Sequence, residues 1–182
     1  MKQHIVVRGL IFGASLLSFN IWAGAESFNS GPVFNDYGRH AVVMQTSVVP
    51  SNAVFKVAFD VSEQGSEEKV NRRFDSLARF INMHVANGVK LENIELALVV
   101  HGKASFDLLD NKAYKAKFNK DNPNHSLLQQ LMHNQVKVYL CGQSAAYYDV
   151  KNAMLTPGVN MALSAMTAHA QLNQQGYSLN PF

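Results

Sequence analysis

The chain has 182 residues, 47% of them hydrophobic, with 16 Lys and Arg against 13 Asp and Glu for a formal charge of +3. That length suits one domain around a single core, and the near-neutral balance gives no electrostatic ground for nucleic acid binding. A lone cysteine, Cys141, excludes an internal disulfide, so the fold must rest on apolar packing.

Residues 1–25 read as a cleaved leader. Lys2 and Arg8 precede an apolar run from Gly9 to Ile21, and Ala23-Gly24-Ala25 supplies the small residues a signal peptidase requires. The run is shorter than the ~20 apolar residues of a spanning helix, and Asn20 interrupts it. The product is expected to be periplasmic or secreted, and free of the membrane once cut near Ala25. Without Lys2 and Arg8, 14 basic residues face 13 acidic ones, a formal charge of +1.

Residues 26–50, rich in Asn, Gly, Ser and Pro before AVVMQTSVVP, predict a loose arm with one short strand. The domain follows over 51–182. Asn52 to Val61 carries apolar residues on both alternating sets, as in a strand covered on two faces. Gly65-Ser66 introduces a helix with Glu67 and Glu68 in its first turn. Val70, Phe74, Leu77, Ile81 and Val85 form its apolar stripe, and Asn87-Gly88 ends it. A second strand, Ile94 to Val100, runs into His101-Gly102. A polar helical region then leads to a helix opened by Asn122-Pro123, with Leu127, Leu128, Leu131 and Met132 as its buried stripe. A third strand, VKVYL, reaches Cys141, and a short helix from Ser144 follows. Pro157-Gly158 precedes a fourth strand, VNMAL, then a helix from Ser164 to Gln175 closed by Gly176, and the tail predicts a short edge strand. Strands alternating with helices imply an α/β three-layer sandwich, a mainly parallel sheet with helices on both faces.

Ligands of such sheets bind at the carboxyl ends of strands. Two strands end there in chemistry-bearing residues, His101 with Gly102 and Cys141 with Gly142. If those strands are neighbours, imidazole and thiol approach each other although 40 positions separate them. Cys141 precedes a helix, whose unpaired N–H groups favour a thiolate, so its pKa is expected below that of a free cysteine. Gly142 leaves room for a ligand, and Gln143 and Ser144 add hydrogen-bonding groups. The structural alternatives are a small buried hydrophobe at Cys141, a loop-bonded histidine at His101, a turn residue at Gly102 and a helix cap at Ser144. Beyond the leader, histidines at 40, 84, 101, 125, 133 and 169 form no close pair, so no metal site is expected and no cofactor is implied. Phosphate-loop, dinucleotide and nucleophile-elbow signatures are missing from the sequence.

VNRRFDSLARFINMH, LALVVHGKASFDLL, DNPNHSLLQQL, VYLCGQSA and PGVNMALSAMTAHAQLNQQGYSLNPF together resemble the exported branch of the DsrE/DsrF-like family, related to the YchN-like proteins. The resemblance spans about Ser51 to Phe182. It implies a flavodoxin-like sheet and a homo-oligomer, trimer or hexamer. It also implies a persulfide-carrying role that falls on Cys141, with His101 at a site position. The expected activity is a periplasmic sulfur carrier or sulfurtransferase with a thiol- or persulfide-bearing protein partner, Gly102, Gly142, Gln143 and Ser144 shaping the pocket. The alternatives are a non-enzymatic module binding a small ligand or protein, and a thiol redox sensor.

Overall fold

A computed structural model describes residues 24–180. Most of the expected leader lies outside the described residues, and no helix among those described is long and apolar enough to cross a membrane.

Among the described residues five strands form one sheet: β1 (Phe55–Val61), β2 (Ile94–Val100), β3 (Lys137–Cys141), β4 (Asn160–Ala162) and β5 (Ser178–Asn180). Their order is β4-β3-β2-β1-β5, and all four pairings are parallel. The helices are α1 (Arg72–Ala86), α2 (Asn111–Phe118), α3 (His125–His133), α4 (Gly142–Tyr147) and α5 (Ala165–Gln174). The chain thus forms the α/β sandwich read from the alternation, with a sheet that is parallel throughout.

The two faces differ in thickness. On one, Val57, Phe59 and Val61 of β1, Leu96, Leu98 and Val100 of β2, and Val138 and Leu140 of β3 belong to the main core. Phe74, Leu77 and Ile81 of α1 and the leucines of α3 complete it. Each fully buried side chain of this size contributes about 1.5–3 kcal/mol. On the other face Ala58, Ala97 and Val99 meet Ala168 and Leu172 of α5, together with Tyr177. Alternation of side chains along each strand assigns these two sets, and the small residues of the second let α5 lie close to the sheet.

Local chemistry moves three helix starts from their expected positions, α3 opening at His125 with Asn124 before it, not at Pro123. The first long helix begins at Arg72, not near Ser66, because Asn71 is recruited as its cap: the Asn71 side chain accepts from the Arg73 N–H. Its amide also donates to Asp107 and to the Glu63 carbonyl, while its backbone N–H donates to Asn124. Glu67 and Glu68 therefore lie outside the helix. At the other strand end α4 begins at Gly142, two residues before Ser144.

The N-terminal arm is pinned and contains no strand, only an isolated bridge between Asn29 and His40. Asn82, buried on α1, accepts from the N–H groups of Val33 and Phe34 and donates to the carbonyls of Phe34, Tyr37 and Gly38. Phe34 is thereby carried into the main core.

Candidate functional site: a thiol and an Asp-bridged histidine pair

The strand order places β1, β2 and β3 side by side, so their carboxyl ends present three consecutive positions along one edge of the sheet. Side-chain alternation aims Asp60, two places beyond Ala58, at the α5 face, and Cys141 shares the face of Tyr139, which packs there. Val100 pairs with Leu140 in the parallel register, so His101 and Cys141 leave their strands at the same level. The expected neighbourhood of imidazole and thiol follows from that register. The His101 backbone is held independently, its N–H donating to the Val61 carbonyl at 2.9 Å.

Cys141 is buried, with 6% of its surface exposed. Burial alone pushes its thiol up. The N–H and hydroxyl of Ser144 and the N–H groups of Ala165 and Gln143 more than offset burial and hold it below the ordinary value. Two helix starts therefore converge on one sulfur, that of α4 directly after it and that of α5, whose first residue is Ala165. Ser164 caps α5 by accepting from the Thr167 N–H.

The glycines serve this convergence from behind. A Cβ on Gly142 would lie 2.6 Å from the Ala162 carbonyl oxygen, so only glycine lets the start of α4 nest against the end of β4. Gly102, at φ +56°, faces the Ser62 carbonyl in the same manner and donates its N–H to the Ser144 hydroxyl at 2.9 Å. Ser144 thus ties the loop after β2 to the loop after β3.

The sequence reading did not pick out Asp60 and left His169 without a partner. The structure makes them central. Asp60 Oδ2 lies 3.1 Å from His101 Nε2, and Asp60 Oδ1 lies 2.7 Å from His169 Nε2. Burial raises the Asp60 pKa, but the hydrogen bonds and positive charge of the two imidazoles outweigh it and keep the carboxyl below its ordinary value. α5 packs against β2 and β3 and so brings His169 over the sheet edge.

A concavity of about 280 Å³ collects these groups, lined by Asp60, His101, Cys141, Gln143, Ser164, Ala165, Met166 and His169. Of the residues predicted from sequence, Cys141, His101 and Gln143 line it, whereas Gly102, Gly142 and Ser144 support it from beneath. Gln143 donates to the Leu163 carbonyl at 3.2 Å, which fixes its side chain at the rim. Another concavity, about 380 Å³, opens at the amino end of the sheet. There the polar side chains are engaged with one another: Tyr177 donates to Glu95 and accepts from Lys137, and neither cysteine nor serine lines the hollow. Among the described residues no group of three or more His, Cys, Asp and Glu side chains is arranged to hold a metal ion.

The sequence profile of the DsrE/DsrF-like family matches residues 56–181. The chain belongs to this family. As a DsrE/DsrF-like protein it shares its fold with two solved structures. The ychN protein from E. coli superposes with a TM-score of 0.53 at 18% identity, covering 71% of this chain and 100% of that one. MTH1491, a protein of unknown function from Methanobacterium thermoautotrophicum, superposes with a TM-score of 0.51 at 13% identity, covering 70% and 99%. At these identities the likeness concerns fold alone. No curated protein matches this DsrE/DsrF-like chain significantly in sequence.

Proposed function

We propose that this protein is a periplasmic sulfur carrier of sulfurtransferase-like chemistry, in which Cys141 transiently holds sulfur as a persulfide. The observation that carries this reading is the ring of N–H donors and the Ser144 hydroxyl around the sulfur, which favours the thiolate at the mouth of an open concavity. A thiolate is the form that attacks an electrophilic sulfur. His101 positions the ligand or moves a proton. With one cysteine in the chain, the bound sulfur has no internal thiol to resolve it, so the acceptor is a thiol on another molecule. Family membership supports this relay-type use of the fold. The export leader, and assembly into trimers or hexamers, belong to the same proposal.

The test is direct. Purified protein incubated with a sulfane-sulfur donor should gain the mass of one sulfur atom, located on Cys141 by peptide mass spectrometry. Cys141→Ser should abolish the gain and leave the circular dichroism spectrum unchanged. Wild-type protein that acquires no sulfur on Cys141 would rule the carrier reading out.

A further inference from the structure

We propose that Asp60 is a positioning residue that holds His101 and His169 as the acid side of the thiol site, where they protonate the thiolate that departs when Cys141 takes sulfur from an alkyl persulfide. This rests on the carrier reading above and assigns His169 a role beside His101.

A carboxylate only accepts hydrogen bonds, and each Asp60 oxygen meets one Nε2. Both Nε2 atoms are therefore the protonated, committed nitrogens, and each Nδ1 is left to exchange a proton. The groups that do most to lower the Cys141 pKa are the Ser144 hydroxyl and backbone N–H donors. Those donors favour the thiolate, and His101 and His169, which line the same concavity as the sulfur, are placed to take up the proton it loses. A clasp that merely docked α5 on the sheet needs only the bond from Asp60 to His169. The second bond, to a histidine whose backbone is already anchored on β1, organises the two imidazoles with respect to each other.

The step that needs an acid is the departure. Cys141 S⁻ attacks the terminal sulfur of R–S–SH, the new Cys141 S–S bond forms, and the S–S bond between that sulfur and the R-bearing sulfur breaks with its electron pair going to R–S⁻. An imidazolium Nδ1–H, replenished by the proton lost earlier from the Cys141 thiol, converts R–S⁻ to R–SH. The sum is Cys–SH plus R–S–SH giving Cys–S–SH plus R–SH, with no external oxidant or reductant. An alkyl thiolate is basic enough to need that proton, whereas a nitro-aromatic thiolate is not.

The experiment compares two electrophiles on the same samples of full-length mature protein: cysteine persulfide, with a basic leaving group, and dithiobis-nitrobenzoate, with a weakly basic one. In Asp60→Asn and in His169→Gln the rate with cysteine persulfide should fall roughly 100-fold, the scale of one general acid. The nitrobenzoate rate should hold within about twofold, since loss of an acid leaves the nucleophile unchanged. Both rates are read on samples whose circular dichroism and urea unfolding match wild type, because an unfolded chain would expose the buried Cys141 to the nitrobenzoate reagent and distort the ratio. An unchanged ratio, with wild-type protein taking up sulfur normally, overturns this assignment and leaves the carrier reading standing. Wild-type protein that takes up no sulfur overturns both.

Discussion

Asp60 and His169 meet across 109 positions of sequence, carboxylate Oδ1 to imidazole Nε2 at 2.7 Å. The contact fastens the first turns of α5 over the carboxyl end of β1, and the same helix start aims the Ala165 N–H at Cys141 two strands away. One helix therefore links the electrostatics of the thiol to those of the carboxylate.

The first prediction concerns the thiol itself. Ser144 contributes both its N–H and its hydroxyl to holding the Cys141 pKa down. Ser144→Ala removes the hydroxyl and leaves the Gly102 N–H without its acceptor. The alkylation rate of Cys141 followed against pH should show a midpoint below that of a free cysteine in wild type. In the variant that midpoint should move upward. Identical midpoints in the two proteins would remove Ser144 from the account of the thiolate.

Much of the scaffold was legible in the sequence, because short apolar runs alternating with helical stripes mark β1 to β3 and a parallel sheet, whereas the order of the strands is set by tertiary pairing. Cys141 and His101 were legible for the same reason, each standing at a strand end before a glycine. Asp60 and His169 were not. Asp60 sits in FKVAFDV, a strand read as buried on both faces, and the signal available was a carboxylate near the carboxyl end on the alternation set of Ala58. His169 lies within a helix whose inward positions are Ala168 and Leu172, and only tertiary packing makes it a partner of β1. The start of α1 was misplaced because Asn71 caps it through contacts with Asp107 and Asn124, 36 and 53 positions away.

That Asp107 is the basis of a second prediction. It is fully buried; Oδ2 accepts from the Gly65 N–H and the Asn71 amide at 2.8 Å each, and Oδ1 has no partner. Burial raises its pKa to about 6 in spite of those two bonds. A folded-state pKa above the unfolded value means that the stabilising contribution is complete below the unfolded value of ~3.8 and is lost as pH rises through about 6. The shift corresponds to roughly 3 kcal/mol. Asp107→Asn keeps an acceptor for both donors and cannot titrate. Urea unfolding at a series of pH values should show wild type losing stability relative to the variant over that window; parallel profiles would contradict the assignment.

The arm supplies a third. Asn82 satisfies five backbone groups of residues 33–38, and truncating it leaves them buried or forces the segment off α1. Asn82→Ala should cost about 2–4 kcal/mol, several hydrogen bonds of ~1 kcal/mol each with Phe34 packing loosened. Limited proteolysis should cut the variant within residues 29–40 well before the sheet is attacked, whereas wild type resists there. Equal cleavage in both would show that Asn82 does not hold the arm.

The fourth prediction bears on export and uses a single chromophore. Trp22, the only tryptophan of the chain, falls within the expected leader. Cleavage near Ala25 leaves a protein whose emission comes from tyrosine alone, while the core that folds around Phe59, Phe74 and Tyr114 is untouched by the cut. Protein recovered from its native compartment should begin near Glu26 by terminal sequencing and show no tryptophan band on excitation at the red edge of the aromatic absorption. Retained tryptophan emission, with an intact Met1 or a start upstream of Trp22, would mean that the leader stays on the mature chain, and with it the apolar run from Gly9 to Ile21.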